Sequence, residues 1–199
     1  MTSDLIFALI TFAAVSSITP GPNNLMLMAS GANFGLLRTV PHMLGVSIGF
    51  VFMVVLVGAG LVQIFDAYPV SYTVLKVLSV SYLLFLAWKI ASNRKPPSNG
   101  ETGGTPMTFL QAAAFQWVNP KAWSMALTAL GVYSPPAPTI LNIVLVAVIF
   151  GLTNLPAITT WVLMGQQMSR FLNTPRRLMV FNITAGLLLV ATLYPILWP

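Results

Sequence analysis

The sequence predicts an all-α polytopic membrane protein: six transmembrane helices as two inverted three-helix repeats, with broken first and fourth helices. Three observations predict it. The chain has 199 residues, of which 57% are hydrophobic and only 6% charged, whereas a soluble domain carries about 25% charged residues. Apolar stretches near the length needed to cross a bilayer, about 20 residues, recur along the chain between short links. The first and the fourth of these stretches each hold a proline motif in their interior, where a proline removes a backbone N–H and clashes with the carbonyl four residues back.

Segment one runs from about Asp4 to Ser30 and is interrupted by Ile18-Thr19-Pro20-Gly21-Pro22-Asn23-Asn24. Pro20 frees the carbonyl of Ser16 and Pro22 frees that of Ile18. Thr19 and Gly21, which precede prolines, are pushed toward extended backbone. Both flanks are apolar, so about one unwound turn is expected at membrane depth. Such backbone is tolerated only where protein or a water-filled cavity satisfies it, and broken helices at this depth build transporter binding sites. No basic region precedes the first apolar run and Asp4 sits there instead, so a cleaved signal peptide is not expected.

A short link from Gly31 to Thr39 leads to segment two, about Val40 to Ile64. Gly45 and Gly49 stand there at small-xxx-small spacing, suited to close helix approach within the chain or in a homo-oligomer. Segment three, about Val70 to Ile90, has Lys76 near its start and Trp88-Lys89 at its end as interfacial anchors. The polar stretch from Ala91 to Pro106 reads as a flexible linker. Segment four, about Thr108 to Val132, contains Gln116-Trp117-Val118-Asn119-Pro120-Lys121. Ser134-Pro135-Pro136-Ala137-Pro138 closes it as a tight turn. Segment five, about Thr139 to Met164, has Asn154 and Pro156 inside. After a basic link from Gln166 to Arg177 comes segment six, about Leu178 to Trp198, with Asn182 and Gly186. The expected division is residues 1–92 as the first repeat, 93–107 as a cytoplasmic linker and 108–199 as the second repeat.

Cations in loops set orientation. Arg38, Lys89, Arg94, Lys95, Arg170, Arg176 and Arg177 all fall in the links after segments one, three and five. These links are therefore expected in the cytoplasm and both termini outside. The cations are scattered rather than clustered, which reads as topology and not as a nucleic-acid surface.

A shift of one hundred residues sets Pro20 on Pro120, Leu27 on Leu127, Ala29 on Ala129 and Gly31 on Gly131. A three-span unit reverses direction when repeated. The expected result is an inverted repeat with a substrate site where the two breaks meet.

Lys121 is the sharpest candidate in that site. An ionisable residue at this depth costs about 3 kcal/mol on insertion scales and is a functional hypothesis by default. Its ammonium can bind a substrate carboxylate, or donate to carbonyls freed at Pro120 or at Pro20 to Pro22. Asn23, Asn24, Gln116 and Asn119 can both donate and accept, which suits a zwitterion. Pro20, Gly21, Pro22 and Pro120 shape the breaks, and N–H groups after Pro22 offer a second carboxylate seat. Asn154 and Asn182 read first as helix–helix glue and second as candidate cavity-lining residues. His42, the only histidine, reads as an interfacial residue beside Pro41.

Function classes narrow by composition. There is no cysteine, one histidine and three acids. No metal site, cofactor or catalytic set is expected, and a membrane-embedded enzyme is disfavoured. A passive channel would favour polar stripes along whole spans, which are absent; a channel or membrane scaffold stays the runner-up to a transporter.

Thr19-Pro20-Gly21-Pro22-Asn23-Asn24 resembles the signature of the LysE/RhtB family of amino-acid exporters. Leu75-Lys76, Tyr82-Leu83 and Leu86-Ala87-Trp88-Lys89 are similar to that family's third span, and Phe115-Gln116-Trp117-Val118-Asn119-Pro120-Lys121-Ala122-Trp123 to its fourth. The Pro-Gly-Pro-Asn-Asn form with Trp88-Lys89-Ile90 looks like the branch that includes cysteine and O-acetylserine exporters. The resemblance implies export of an amino acid or close derivative across a bacterial inner membrane, with protons entering in exchange. Several relatives carry an acid in the fifth span; here the nearest polar residue is Asn154. No acid lies at membrane depth to pair a cationic side chain, which argues for a neutral substrate.

Overall fold

The computed structural model describes residues 1–93, 105–135 and 137–197. Arg94, Lys95 and most of the expected linker lie outside the described residues, as do Pro136 of the external turn and Trp198. Among the described residues every regular element is helical.

Helix α1 (Ser3–Ile18) opens on Thr2, whose hydroxyl accepts from the Leu5 N–H. It stops at Thr19, which is extended at φ −64°, ψ 144°. Gly21 is extended too, and Pro22 starts α2 (Pro22–Leu56) at its first position, where a missing N–H costs nothing. The break expected from the prolines is therefore present at the expected residues.

The next connection differs from expectation. No nine-residue loop separates segments one and two. The chain stays helical up to a single sharp kink at Gly35, φ 77° and ψ 173°, a conformation open almost only to glycine. Helix resumes at once, and the Ser30 and Thr39 hydroxyls meet at 2.9 Å across the fold-back. Thr39 also donates to the Gly35 carbonyl, and the Gln166 side chain accepts from the Leu36 N–H. Three local bonds thus replace a loop.

Beyond α2 a π-helical turn, Val57–Leu61, leads to α3 (Val62–Ala67). Helix α4 (Val70–Ala91) follows after Tyr68 and Pro69. Helix α5 (Phe109–Phe115) begins on a capping box of Thr108 and Gln111, in which two orphan donors are satisfied reciprocally. A 3₁₀ turn, Gln116–Val118, and the extended residue Asn119 separate it from α6 (Pro120–Tyr133). Helix α7 (Ile140–Ser169) starts on a second capping box, Thr139 with Asn142, and runs on through Pro156. Helix α8 (Pro175–Ala191) is capped by Thr174, and α9 (Tyr194–Leu197) is a single turn.

Three helical stretches are long and apolar enough to cross a membrane: Pro22–Ala67, Val70–Ala91 and Ile140–Ser169. The breaks explain why segments one and four do not qualify as single helices. They are cut into α1 and the start of α2, and into α5 and α6. At about 1.5 Å per residue each of α1, α5 and α6 is shorter than the roughly 30 Å hydrocarbon core.

Packing is organised around α7 and the two arms of α2. Leu9 and Ala13 of α1 join Phe50, Met53 and Val54 of α2, Ala122, Ala126 and Ala129 of α6, and Val146 and Phe150 of α7 in the main core. Gly31 lies on the Val162 backbone, and Gly165 on the backbone of Met28 and Ala32. Gly45 faces Phe109 and Ala112, and Gly49 faces Ala113, so this glycine pair serves packing within the chain, against α5. On the far side Gly186 of α8 sits on Ala87 and Ala91 of α4, and Leu189 joins Leu83 and Leu86. Large apolar side chains such as Leu37, 85% exposed, and Phe7 cover the outside, as a lipid-facing surface requires.

Candidate functional site

The two breaks meet. Asn23 donates from Nδ2 to Gln116 Oε1 at 2.8 Å, and Gln116 donates back from Nε2 to Asn23 Oδ1 at 3.3 Å. Gln116 also donates to the Ala112 carbonyl, which holds its amide in place. Lys121 crosses in the other direction. Its Nζ donates to the Thr19 carbonyl at 2.7 Å, to Thr19 Oγ1 at 2.9 Å and to the Pro20 carbonyl at 3.4 Å.

Gly21 makes that crossing feasible by its size, not by its backbone angles. A Cβ built on it would lie 2.6 Å from Lys121 Cδ. The lysine stem therefore runs through the space a side chain at position 21 would occupy.

Every carbonyl at the first break is accounted for, as apolar surroundings demand. Ser16 O accepts from Thr19 Oγ1, and Ser17 O from Asn24 Nδ2. Ile18 O accepts from the Trp161 indole at 3.0 Å. Thr19 O accepts from both Asn24 and Lys121. Gly21 O accepts from the Leu25 N–H. The carbonyl end of α1 carries partial negative charge, and the ammonium of Lys121 sits against it. At the second break Asn119 caps α6 by accepting from the Lys121 N–H at 3.2 Å. Pro22 and Pro120 each occupy the first turn of the helix they open. Pro22 and Pro120 thus hold like positions in their helices, two residues off the hundred-residue shift. Gly31 and Gly131 differ accordingly, since Gly131 has nothing near it.

Between the breaks lies a small cavity of about 20 Å³, lined by Ser16, Ser17, Asn23, Asn119, Lys121 and Asn154 among others. That is room for about one water and not for an amino acid. Asn154 reaches Ser47 Oγ at 3.3 Å from the opposite wall. Asn182 is elsewhere. It is fully buried in a cluster with Asn33 and Asn93, donating to Asn33 Oδ1 at 3.3 Å and to the Asn93 carbonyl at 2.7 Å.

Sequence reasoning did not single out Trp161, Ser17, Asn33 or Thr19 as site residues. Thr19 stands inside the motif itself, and Asn33 is a polar residue beside an apolar run, so both left a signal. Trp161 left none, because a tryptophan near the end of a span reads as an interfacial anchor.

Comparison with known proteins places the chain in a family. Residues 14–192 match the LysE type translocator family. The chain is 30% identical over 194 residues, 96% of each chain, to a protein of Escherichia coli (strain K12) named cysteine/O-acetylserine efflux protein. It is 31% identical over 195 residues, again 96% of each, to the protein of that name from Salmonella paratyphi A. To the one from Klebsiella pneumoniae it is 32% identical over 136 residues, 68% of each. No solved structure matches. A match over this much of the sequence, on a helical chain whose two breaks meet, identifies a membrane transporter and not an enzyme: the chain belongs to the LysE type translocator family.

Proposed function

We propose that this protein exports a small neutral amino acid or derivative, of the cysteine and O-acetylserine class, across a bacterial inner membrane in exchange for protons. The observation that carries the reading is the joining of the two breaks through Asn23, Gln116 and Lys121. These groups offer the donors and acceptors a zwitterion needs. Pro20, Gly21, Pro22, Asn24, Asn119 and Pro120 shape and cap the breaks around them. For transport, Lys121 leaves the α1 carbonyls and takes the substrate carboxylate. The ammonium of the substrate then takes the vacated carbonyls and amide oxygens.

Neutral cargo is supported by the acids. Asp4 is exposed at the start of α1, and Asp66 is held by the Tyr72 hydroxyl at 2.6 Å. Neither faces the cavity between the breaks. The names of the relatives point the same way.

The six-span inverted repeat is supported by matched packing. α1 packs on α7 as α5 packs on α2, and α4 packs on α8. Asn23 with Gln116 and Thr19 with Lys121 run in opposite order along the chain, as antiparallel neighbours do. The cytoplasmic placement of the links with Arg38, Lys89 and Arg170 remains the reading that their charge favours. The closed cavity favours alternating access over a passive channel, since solute passes only after the breaks part.

Cells preloaded with labelled amino acids, O-acetylserine included, test the reading. The protein is expected to speed efflux of one or a few of them against a gradient, with uncoupler removing the uphill part. Lys121→Ala and Asn23→Ala are each expected to lower the rate at least tenfold. If no amino acid leaves faster than from empty cells, while membrane levels of the protein are normal, the amino-acid assignment is wrong.

A further inference from the structure

A second cavity lies apart from the one between the breaks. A space of about 590 Å³ lies between the first arm of α2, the start of its second arm, the end of α4 and residues 105–107. Its volume falls in the range of small-molecule sites. His42 lines it and is 1% exposed. Neither His42 Nδ1 nor Nε2 has a hydrogen-bond partner, whereas buried polar groups are ordinarily satisfied. In its neutral form the ring offers one N–H and one lone pair. The walls are mostly apolar, from Met26, Leu86 and Met107, with Ser30, Asn93 and Lys89 as the polar members. Lys89 is exposed and His42 buried, and both line the cavity. Met26 is also one turn beyond Asn23 on the same helix, so the cavity adjoins the breaks without sharing their residues.

We propose that this cavity is a second binding site, a loading chamber for a small zwitterion on its way to the breaks. Lys89 takes the carboxylate, the lone-pair nitrogen of His42 accepts from the ammonium, and the apolar walls take the side chain. A bound zwitterion then supplies the partner that His42 lacks. The proposal rests on the export reading and extends it.

Because the chain has no cysteine, a single Met107→Cys reporter reads occupancy of the cavity. Purified protein is treated with N-ethylmaleimide, with and without O-acetylserine. The expected result is labelling slowed at least fivefold by O-acetylserine, and not by its N-acetyl or methyl-ester forms. His42→Phe, which fills the same space without an acceptor, is expected to remove the protection. Lys89→Met, a change at an exposed position, is expected to weaken it severalfold with the fold intact. His42→Gln, which restores an acceptor, is expected to keep part of it. Unchanged labelling with zwitterion present, full protection in His42→Phe, or protection by phosphatidylethanolamine discs alone overturns the proposal. Labelling reads binding without flux, so it fails separately from the efflux test.

Discussion

Lys121, Asn24 and Trp161 show how single side chains make a broken helix tolerable. Each donates to a carbonyl left open where α1 ends. Asn24 serves two, at Ser17 and Thr19, each at 2.7 Å. Truncating it strands the Ser17 carbonyl, while Thr19 keeps its bond from Lys121, and an unsatisfied buried carbonyl costs about 1–3 kcal/mol. Asn24→Ala is therefore expected to lower the thermal melting point in detergent by several degrees, while Asn24→Asp, which keeps size but loses the donors, fares no better. An unchanged melting point for both would show that other groups hold the break. Most of this was legible. Polar residues inside apolar runs cannot be filler, so Asn23, Asn24, Gln116, Asn119 and Lys121 stood out from the sequence. The sequence did not say that Lys121 would reach Thr19 or that Asn23 would pair with Gln116, because those partners lie 102 and 93 positions apart. Lys121 had two readings, carboxylate ligand and carbonyl donor, and the resting structure occupies the second.

At the scale of elements, the prolines and the Gly45–Gly49 pair were readable and Gly35 was not. Pro20 and Pro22 unwind the chain where steric argument puts the break. Gly35 looked like one residue in a loop, yet it carries the entire reversal between the two arms of α2. Its left-handed backbone penalises any Cβ, at about 1–3 kcal/mol for such strained conformations, even though a Cβ there would meet only Gln166 Oε1, at 4.0 Å. Gly165 is the opposite case: its backbone is helical, and a Cβ would collide with the Met28 carbonyl. Gly35→Ala is expected to lower stability with the packing of α2 on α7 preserved. Gly165→Leu is expected to prevent that packing and yield little folded protein. Equal yields and melting points for both variants and the parent would contradict these roles. Threonine caps open helices at Thr2, Thr108, Thr139 and Thr174. The hundred-residue shift pairs Pro20 with Pro120, whereas Pro22 and Pro120 are the prolines that open α2 and α6; apolar matches such as Leu27 with Leu127 arise by chance.

At the scale of the whole molecule, the chain closes a site of about 20 Å³ between its breaks and keeps a roomy one beside His42. An exporter that rests this way must part α1 from α6 to pass its cargo. His42 departs from expectation: its place beside Pro41 suggests an interfacial residue, and it is buried without a partner. A lone histidine near a span end carries no pattern that reveals its surroundings. Ser17 reports on the central claim, that the site between the breaks opens alternately to each face. Its hydroxyl is buried at the closed cavity with no partner, and a cysteine there would be the only one in the chain. The measurement is the reaction of Ser17→Cys with a small charged thiol reagent added to one membrane face or the other, on a variant first shown to export. The account predicts reaction from both faces, slowed by the exported solute. Reaction from one face only, or from neither while export continues, would contradict it.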